Sequence, residues 1–175
     1  MKSEWKAKGE VEHILAALMP ENRLACEISL ATGLRIGDVL ALKTGLLKKK
    51  RFTIREEKTG KTRRVYLPES LRRRALDCAG QHYVFEGRLD GKVHRTRQAV
   101  YKDLRRAAEA FKCREHISPH SLRKVYAVEE FKRSGDLQRL RELLNHDSEA
   151  VTVLYAMADI LSTRKSFKGQ KKNRA

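Results

Sequence analysis

The stretch KRFTIREEKTGKTRRVYLP, residues 50–68, alternates apolar with polar residues on both sides of a short Lys-Thr-Gly-Lys connection. Alternation with a period of two is typical of strands that bury one face, and a short polar connection containing glycine favours an antiparallel pair. The stretch therefore predicts a β-hairpin, with Lys58 and Lys61 on either side of a tip at Thr59 and Gly60.

Helical spacing of apolar residues surrounds this hairpin. Before it, three helices are predicted in EVEHILAALMP, which Pro20 would close, in NRLACEISLATG, ending at Gly33, and in LRIGDVLALK. After it, ESLRRRALDCA and RQAVYKDLRRAAEAFK predict two more. Three further helices are expected near residues 119–133, 136–145 and 148–161. The expected fold class is mainly α with a small antiparallel β-sheet (α+β), in one domain.

The composition favours a folded protein with a polyanionic partner. The 39 Lys and Arg residues against 22 Asp and Glu give a net charge of +17, and the isoelectric point is near 10.1. Hydrophobic residues make up 41% of the chain, enough for a packed interior. Nucleic acid is the first candidate for the partner and an anionic membrane surface is the second.

No segment predicts secretion, membrane insertion or cofactor binding. The first residues contain no apolar stretch like that of a signal peptide, and no run is long enough to span a bilayer. Cys26, Cys78 and Cys113 form no CxxC pair and are typical of reduced thiols in a cytoplasmic protein. There is no glycine-rich phosphate loop and no obvious carboxylate cluster, so we expect neither ATP nor a metal as a cofactor.

The motif SPHSLRK, residues 118–124, allows two interpretations. Ser118 and Pro119 favour a helix start, which would place His120 and Arg123 on one face near the first turn. The ordinary interpretation is a solvated face on a basic protein. The other is an anion site, because free N–H groups at a helix start and a guanidinium group would converge on a bound anion.

Arg35 and Lys58 also allow both an ordinary structural interpretation and a functional one. In ATGLRIGDVLALK, Arg35 begins a helix with Asp38 three residues later. The two form either an exposed ion pair or a phosphate ligand that Asp38 orients. Lys58, at the hairpin tip, either discourages edge-to-edge pairing of strands or acts as a general acid for a departing oxygen.

The stretch LLNHDSEAVTVLYAMA, residues 143–158, contains a histidine and a tyrosine, each with a structural and a chemical interpretation. His146 ends a predicted helix, where the helix dipole favours a cation. Tyr155 lies close to an apolar stripe on the next predicted helix. By itself the pattern favours a half-buried packing tyrosine over a reacting hydroxyl.

Together these motifs resemble the catalytic domain of the tyrosine recombinases, also called the phage integrase family. TGLRIGDVLALK is similar to the family's first arginine box, EEKTGKTRRVYLP to its lysine hairpin, PHSLRK to its HxxR box, and GDLQRLRELLNHDS to the segment before its second histidine. The order and separations agree over roughly residues 10–162. The resemblance implies the fold of that domain and six catalytic residues: Arg35, Lys58, His120, Arg123, His146 and Tyr155.

The resemblance implies site-specific DNA recombination without metal or ATP. The two arginines would hold the non-bridging phosphate oxygens, and His146 would add a hydrogen bond. Tyr155 would attack the phosphate and give a 3′-phosphotyrosyl link, while His120 accepts its proton and Lys58 protonates the leaving 5′ hydroxyl. The implied partner is double-stranded DNA, bound by a homo-tetramer, with accessory DNA-bending proteins as further candidates. A bacterial, phage or mobile-element origin is implied as well.

Two departures from the family pattern qualify these expectations. Asn145 stands where many members have glycine, and the chain has no room for the separate N-terminal core-binding domain that members usually carry. We therefore predict a catalytic domain over residues 1–163 and a basic flexible tail over residues 164–175. A non-catalytic DNA-binding regulator with a recombinase-like domain is the alternative, and a small relative of the type IB topoisomerases is a third interpretation.

Overall fold

The computed structural model describes residues 8–113 and 117–144, which form a two-stranded hairpin and seven α-helices. The strands are β1 (Arg51–Arg55) and β2 (Thr62–Tyr66). The helices are α1 (Lys8–Ala16), α2 (Pro20–Thr32), α3 (Ile36–Leu40), α4 (Glu69–Cys78), α5 (Arg97–Ala110), α6 (Pro119–Ser134) and α7 (Leu137–Leu144), with a short 3-10 helix over Thr44–Lys48. The expected class, mainly α with a small antiparallel sheet, is confirmed.

The hairpin has the register that its alternation predicts. Phe52 of β1 lies opposite Val65 of β2, and Ile54 lies opposite Arg63. Burial alternates along β2, so that Arg63 and Val65 are buried while their neighbours are exposed. Since side chains of a strand point alternately to its two faces, a charged residue here occupies a position that faces the protein interior.

The chain divides into two compact units, Met1–Tyr126 and Ala127–Ala175. The core of the first unit contains the buried apolar residues of α1, Val11, Ile14 and Leu15, together with Leu18, which follows that helix and is buried as well. In the second unit, Glu130 accepts hydrogen bonds from Arg133. Within the described ranges, no helix combines the length and hydropathy needed to cross a bilayer.

The sequence predicts the end of α2 correctly and the end of α1 incorrectly. α2 ends at Gly33, as expected. α1 ends at Ala16, and Pro20 starts α2 instead of closing the preceding helix. Proline fits the first position of a helix because its φ angle is suitable and its missing N–H has no intrahelical partner there. The helix predicted near 148–161 and the tail predicted over 164–175 lie outside the described residues.

A carboxylate from α5 anchors the start of α2. Asp103 is 8% exposed and accepts hydrogen bonds of 2.8 Å from Met19 N and from Asn22 Nδ2. Arg106 donates to its other oxygen from Nη2 at 2.7 Å. Burial by itself raises the pKa of Asp103, but the hydrogen bonds from Asn22, Arg106 and Met19 outweigh it and hold the pKa below its ordinary value.

We expect Asp103→Asn to lower the free energy of unfolding at pH 7 by about 1.5–3 kcal/mol, because hydrogen bonds to a charged acceptor are lost. Since the folded pKa lies below the unfolded value of about 3.9, this stabilisation is present above that pH and is lost as the pH falls through the folded pKa. Urea unfolding at several pH values measures the effect. Asp77→Asn, at an exposed position of α4, is the control and should stay within about 0.5 kcal/mol of the parent. A pH-independent difference for Asp103→Asn would contradict the linkage.

Candidate active site

The turn between α2 and α3 is fixed by a glycine in the left-handed conformation. Gly33 has φ 68° and ψ 15°, and its N–H donates to Ser29 O at 2.8 Å. The ring of Tyr126 covers it so closely that an added Cβ would lie 2.3 Å from ring carbons. A residue with a side chain would meet both the strained backbone and the ring, so the turn requires glycine.

The carbonyl of Gly33 accepts hydrogen bonds from two buried arginines. Arg123, on α6 and 2% exposed, donates from Nη1 to this oxygen. Arg63, on β2 and 7% exposed, donates from Nη1 to the same oxygen at 3.2 Å and from Nη2 to Thr32 O. Burial lowers the pKa of the Arg63 guanidinium, and the charge of Arg123 lowers it further.

A buried carboxylate joins Arg63 to Arg35. The side chain of Glu56 is 0% exposed, and its Oε1 lies 3.6 Å from Arg63 Nη1. Its Oε2 accepts hydrogen bonds of 2.9 Å from Arg35 Nη1 and from Thr59 Oγ1. The carbonyl of Gly33, the three guanidinium groups and Glu56 thus form one connected set, which we call the Gly33 network.

Asp38 anchors the hairpin to α3. Its Oδ1 accepts a hydrogen bond of 2.9 Å from Glu57 N, the residue that follows β1 and Glu56. Asp38 is 5% exposed, and its burial raises the pKa of the carboxyl, against the hydrogen bond from Glu57 N. Arg35 precedes α3 as its N-cap residue and donates a hydrogen bond to the carboxylate of Glu56. Asp38 therefore fixes the hairpin, and Glu56 is an acceptor that the sequence interpretation of Arg35 did not include.

The structure describes four of the six predicted catalytic residues. Arg35 and Arg123 belong to the Gly33 network. Lys58 is exposed in the hairpin turn, two residues after Glu56, and His120 is exposed in the first turn of α6. The remaining two, His146 and Tyr155, lie outside the described residues. Within residues 8–113 and 117–144, no group of three or more His, Cys, Asp or Glu side chains is placed to hold a metal ion.

Glu56 and Arg63 were not identified from the sequence, although the alternating pattern of the hairpin contained a signal for both. Arg63 shares the inward face of β2 with Val65, and a charged side chain at an inward position of an alternating strand needs a buried partner. Glu56 directly follows β1 and is in step with the inward positions Phe52 and Ile54, so the alternation places it on the buried face, but the sequence does not show which groups it contacts there.

The motifs and the fold agree with comparisons to known proteins. The family model for the phage integrase family matches residues 5–160. The chain belongs to this family. Its catalytic-domain fold is shared with the XerA recombinase, whose crystal structure superimposes with a TM-score of 0.70 at 21% identity, covering 94% of this chain and 66% of that one. XerH bound to palindromic difH substrate superimposes with a TM-score of 0.68 at 25% identity, covering 87% of this chain and 48% of that one.

Curated proteins of similar sequence are also named as integrases or recombinases. The chain is 32% identical over 147 residues to the probable integrase/recombinase YoeC of Bacillus subtilis, which covers 78% of this chain and 77% of that protein. It is 32% identical over 142 residues to the tyrosine recombinase XerC of Pseudomonas aeruginosa, covering 76% of this chain and 46% of that protein. The chain thus spans about three quarters of YoeC and about half of XerC.

Gly33→Ala is expected to lower the free energy of unfolding by about 2–4 kcal/mol, because the added Cβ would meet Tyr126 at a backbone angle that disfavours side chains. The matched control is Gly45→Ala, because a Cβ at Gly45 meets nothing within 4 Å. Urea unfolding of both variants compares them, and the control should remain within about 0.5 kcal/mol of the parent. Equal losses in the two variants would contradict the role assigned to the turn.

Proposed function

We propose that this protein is a tyrosine recombinase that carries out site-specific DNA recombination by cutting and rejoining strands through a 3′-phosphotyrosyl intermediate. The observation that carries the proposal is the Gly33 network. It ties Arg35 and Arg123, which match the two arginine boxes of the family, to the turn at Gly33. Two guanidinium groups tied to one turn are suited to bind a single phosphate group, because each presents a planar fork of N–H donors.

The charge of the transition state explains why arginines are needed. A phosphodiester under attack passes through a pentavalent phosphorane whose non-bridging oxygens gain negative charge. In a reaction that uses no metal, fixed cationic donors have to stabilise that charge. Arg35 and Arg123 fill this role in our proposal, and His146 adds a further hydrogen bond.

The reaction needs one group that accepts the proton of the attacking tyrosine and another that donates a proton to the leaving 5′ oxygen. A tyrosine hydroxyl has a pKa near 10, so Tyr155 needs a proton acceptor as it attacks, and we assign His120 to that role. As the P–O bond to the 5′ oxygen breaks, Lys58 supplies the proton that makes a free 5′ hydroxyl. The phosphate is then bound covalently to Tyr155, and attack by a 5′ hydroxyl of another strand regenerates both the phosphodiester and the tyrosine. No step consumes ATP.

Double-stranded DNA is the proposed partner, and the net charge of +17 supports it. Among the similar structures, XerH is bound to its difH substrate and λ integrase to a COC′ core site. We propose a homo-tetramer on DNA as the working assembly, with accessory DNA-bending proteins as candidates for further partners. Residues 1–163 are proposed as the catalytic domain and residues 164–175 as a basic tail.

Tyr155→Phe is expected to abolish covalent attachment to DNA. The experiment incubates the protein with a library of nicked duplexes of randomised sequence, in which cleavage near the nick releases a short strand and traps the enzyme on the DNA. Adducts that survive detergent are counted on a denaturing gel, and the DNA they carry is sequenced to identify the preferred site.

Tyr66→Phe is the control for this experiment, because Tyr66 is 55% exposed on β2. Adduct formation should be unchanged in the control and undetectable in Tyr155→Phe. An undiminished adduct in Tyr155→Phe would overturn the assignment of the nucleophile. Salt-dependent DNA binding by the parent protein without any adduct would favour a non-catalytic DNA-binding regulator.

Lys58→Ala is expected to slow single-turnover cleavage of the selected site by about 10²–10⁴-fold, because a general acid contributes a factor of that size. A substrate with sulfur in place of the 5′ bridging oxygen should restore the rate, since a thiolate leaves without being protonated. Lys61→Ala, across the same turn, is the control and should cleave the oxygen substrate at the parent rate. A Lys58→Ala defect that persists on the sulfur substrate would show that Lys58 is not the general acid.

A further inference from the structure

Two buried charged residues next to the proposed site have no role in the chemistry described so far. The side chain of Glu56 is 0% exposed and that of Arg63 is 7% exposed. Removing charges from water is unfavourable by several kcal/mol per ion unless good contacts compensate. Their placement therefore calls for a physical explanation.

Glu56 makes its contacts in two directions. Its backbone closes the hairpin turn, because Glu56 N donates to Lys61 O at 3.0 Å and Gly60 N donates to Glu56 O at 2.9 Å. Its carboxylate accepts one hydrogen bond from the hydroxyl of Thr59, in the same turn, and another from the guanidinium of Arg35, just before α3. One residue thus holds both the segment that carries Lys58 and the side chain of Arg35.

Arg63 connects this carboxylate to the turn before Arg35. Its guanidinium lies against Glu56 Oε1 and also donates to the carbonyls of Thr32 and Gly33. The Gly33 carbonyl is also the acceptor for Arg123. A displacement of Glu56 would therefore change the surroundings of both arginines that are proposed to hold the phosphate.

A carboxylate suits this position better than a neutral amide. Arg63 and Arg123 share one carbonyl oxygen, and like charges at such a separation repel each other. The negative charge of Glu56 offsets that repulsion and gives Arg35 a charged acceptor, which fixes a side chain of high rotational freedom. An amide would keep the shape of the side chain but would lose the charge.

We propose that Glu56 is a positioning residue for DNA cleavage. It orients the guanidinium of Arg35 and holds the turn that carries Lys58 in a fixed position relative to that guanidinium. This inference rests on the proposed recombinase function. Glu56 touches neither the phosphate nor the reacting tyrosine in this proposal, and it acts through Arg35 and Lys58. Arg63 is its buried counter-ion.

The test measures single-turnover cleavage by Glu56→Gln on the site selected above, at saturating protein, together with the Kd for the same duplex. Misplacing a catalytic group by about 1 Å costs about 10²-fold in rate, so we expect a loss of that size with Kd changed less than about threefold. Glu57→Gln is the matched control, because it makes the same change at the neighbouring residue, whose side chain is 55% exposed. It should cleave at the parent rate.

A double-mutant cycle separates positioning from a general structural role. If Glu56 acts through Arg35, Glu56→Gln should slow an Arg35→Lys protein by less than about threefold on the substrate with 5′ sulfur, because that protein has no guanidinium at position 35 whose orientation could be lost. The part of the defect that acts through Lys58 should be recovered on the substrate with 5′ sulfur. Full, multiplicative losses in the Arg35→Lys background, with no recovery by sulfur, would overturn the inference.

A second variant answers the question if Glu56→Gln does not fold. Thr59→Val removes one hydrogen bond to Glu56 Oε2 and leaves the buried charge in place. We expect it to slow cleavage of the oxygen substrate about tenfold, and to have no effect in the Arg35→Lys protein on the substrate with 5′ sulfur. Parent-like cleavage by Thr59→Val, or by a folded Glu56→Gln, would refute the positioning role while leaving the proposed function intact. If the parent protein forms no Tyr155 adduct, the proposed function fails, and the positioning role fails with it.

Discussion

A single carbonyl oxygen with two guanidinium donors holds the described part of the site together. Gly33 ends α2, and its left-handed backbone turns the chain into α3 with the oxygen directed at Arg63 and Arg123. The ring of Tyr126 occupies the position that a side chain at residue 33 would need. The end of α2, strand β2 and helix α6 therefore meet at one peptide group, and none of them is positioned independently of the others.

The electrostatics of this cluster suit a site for an anion. Three guanidinium groups and one carboxylate, Glu56, make up the charged part of the Gly33 network. The negative charge of Glu56 offsets part of the desolvation free energy of the buried cations, and the network as a whole keeps a positive charge. A phosphate group that gains charge during reaction would meet donors that are already oriented, so little reorganisation would be needed.

The sequence predicts local features of this protein well and long-range ones poorly. The hairpin, the glycine at the end of α2 and the start of α6 at Pro119 follow from nearby residues, and the family was recognisable because several motifs occur in the expected order. The contact between Glu56 and Arg35 joins residues 21 positions apart that belong to different patterns. Periodicity says which side of a strand is buried, but not which groups meet there. The mistake at Pro20 has a local cause, because proline is compatible with both ends of a helical segment.

The sequence separations within the Gly33 network imply an order of assembly. Arg63 reaches Gly33 across 30 positions, whereas Arg123 reaches it across 90. Closing a shorter loop costs less chain entropy, and the ribosome releases the hairpin well before α6. The nascent chain can therefore join the hairpin to the α2–α3 turn while Arg123 is still absent. A partly synthesised chain could therefore contain the contact between the hairpin and this turn, but Arg123 would join the Gly33 network only after α6 has been synthesised.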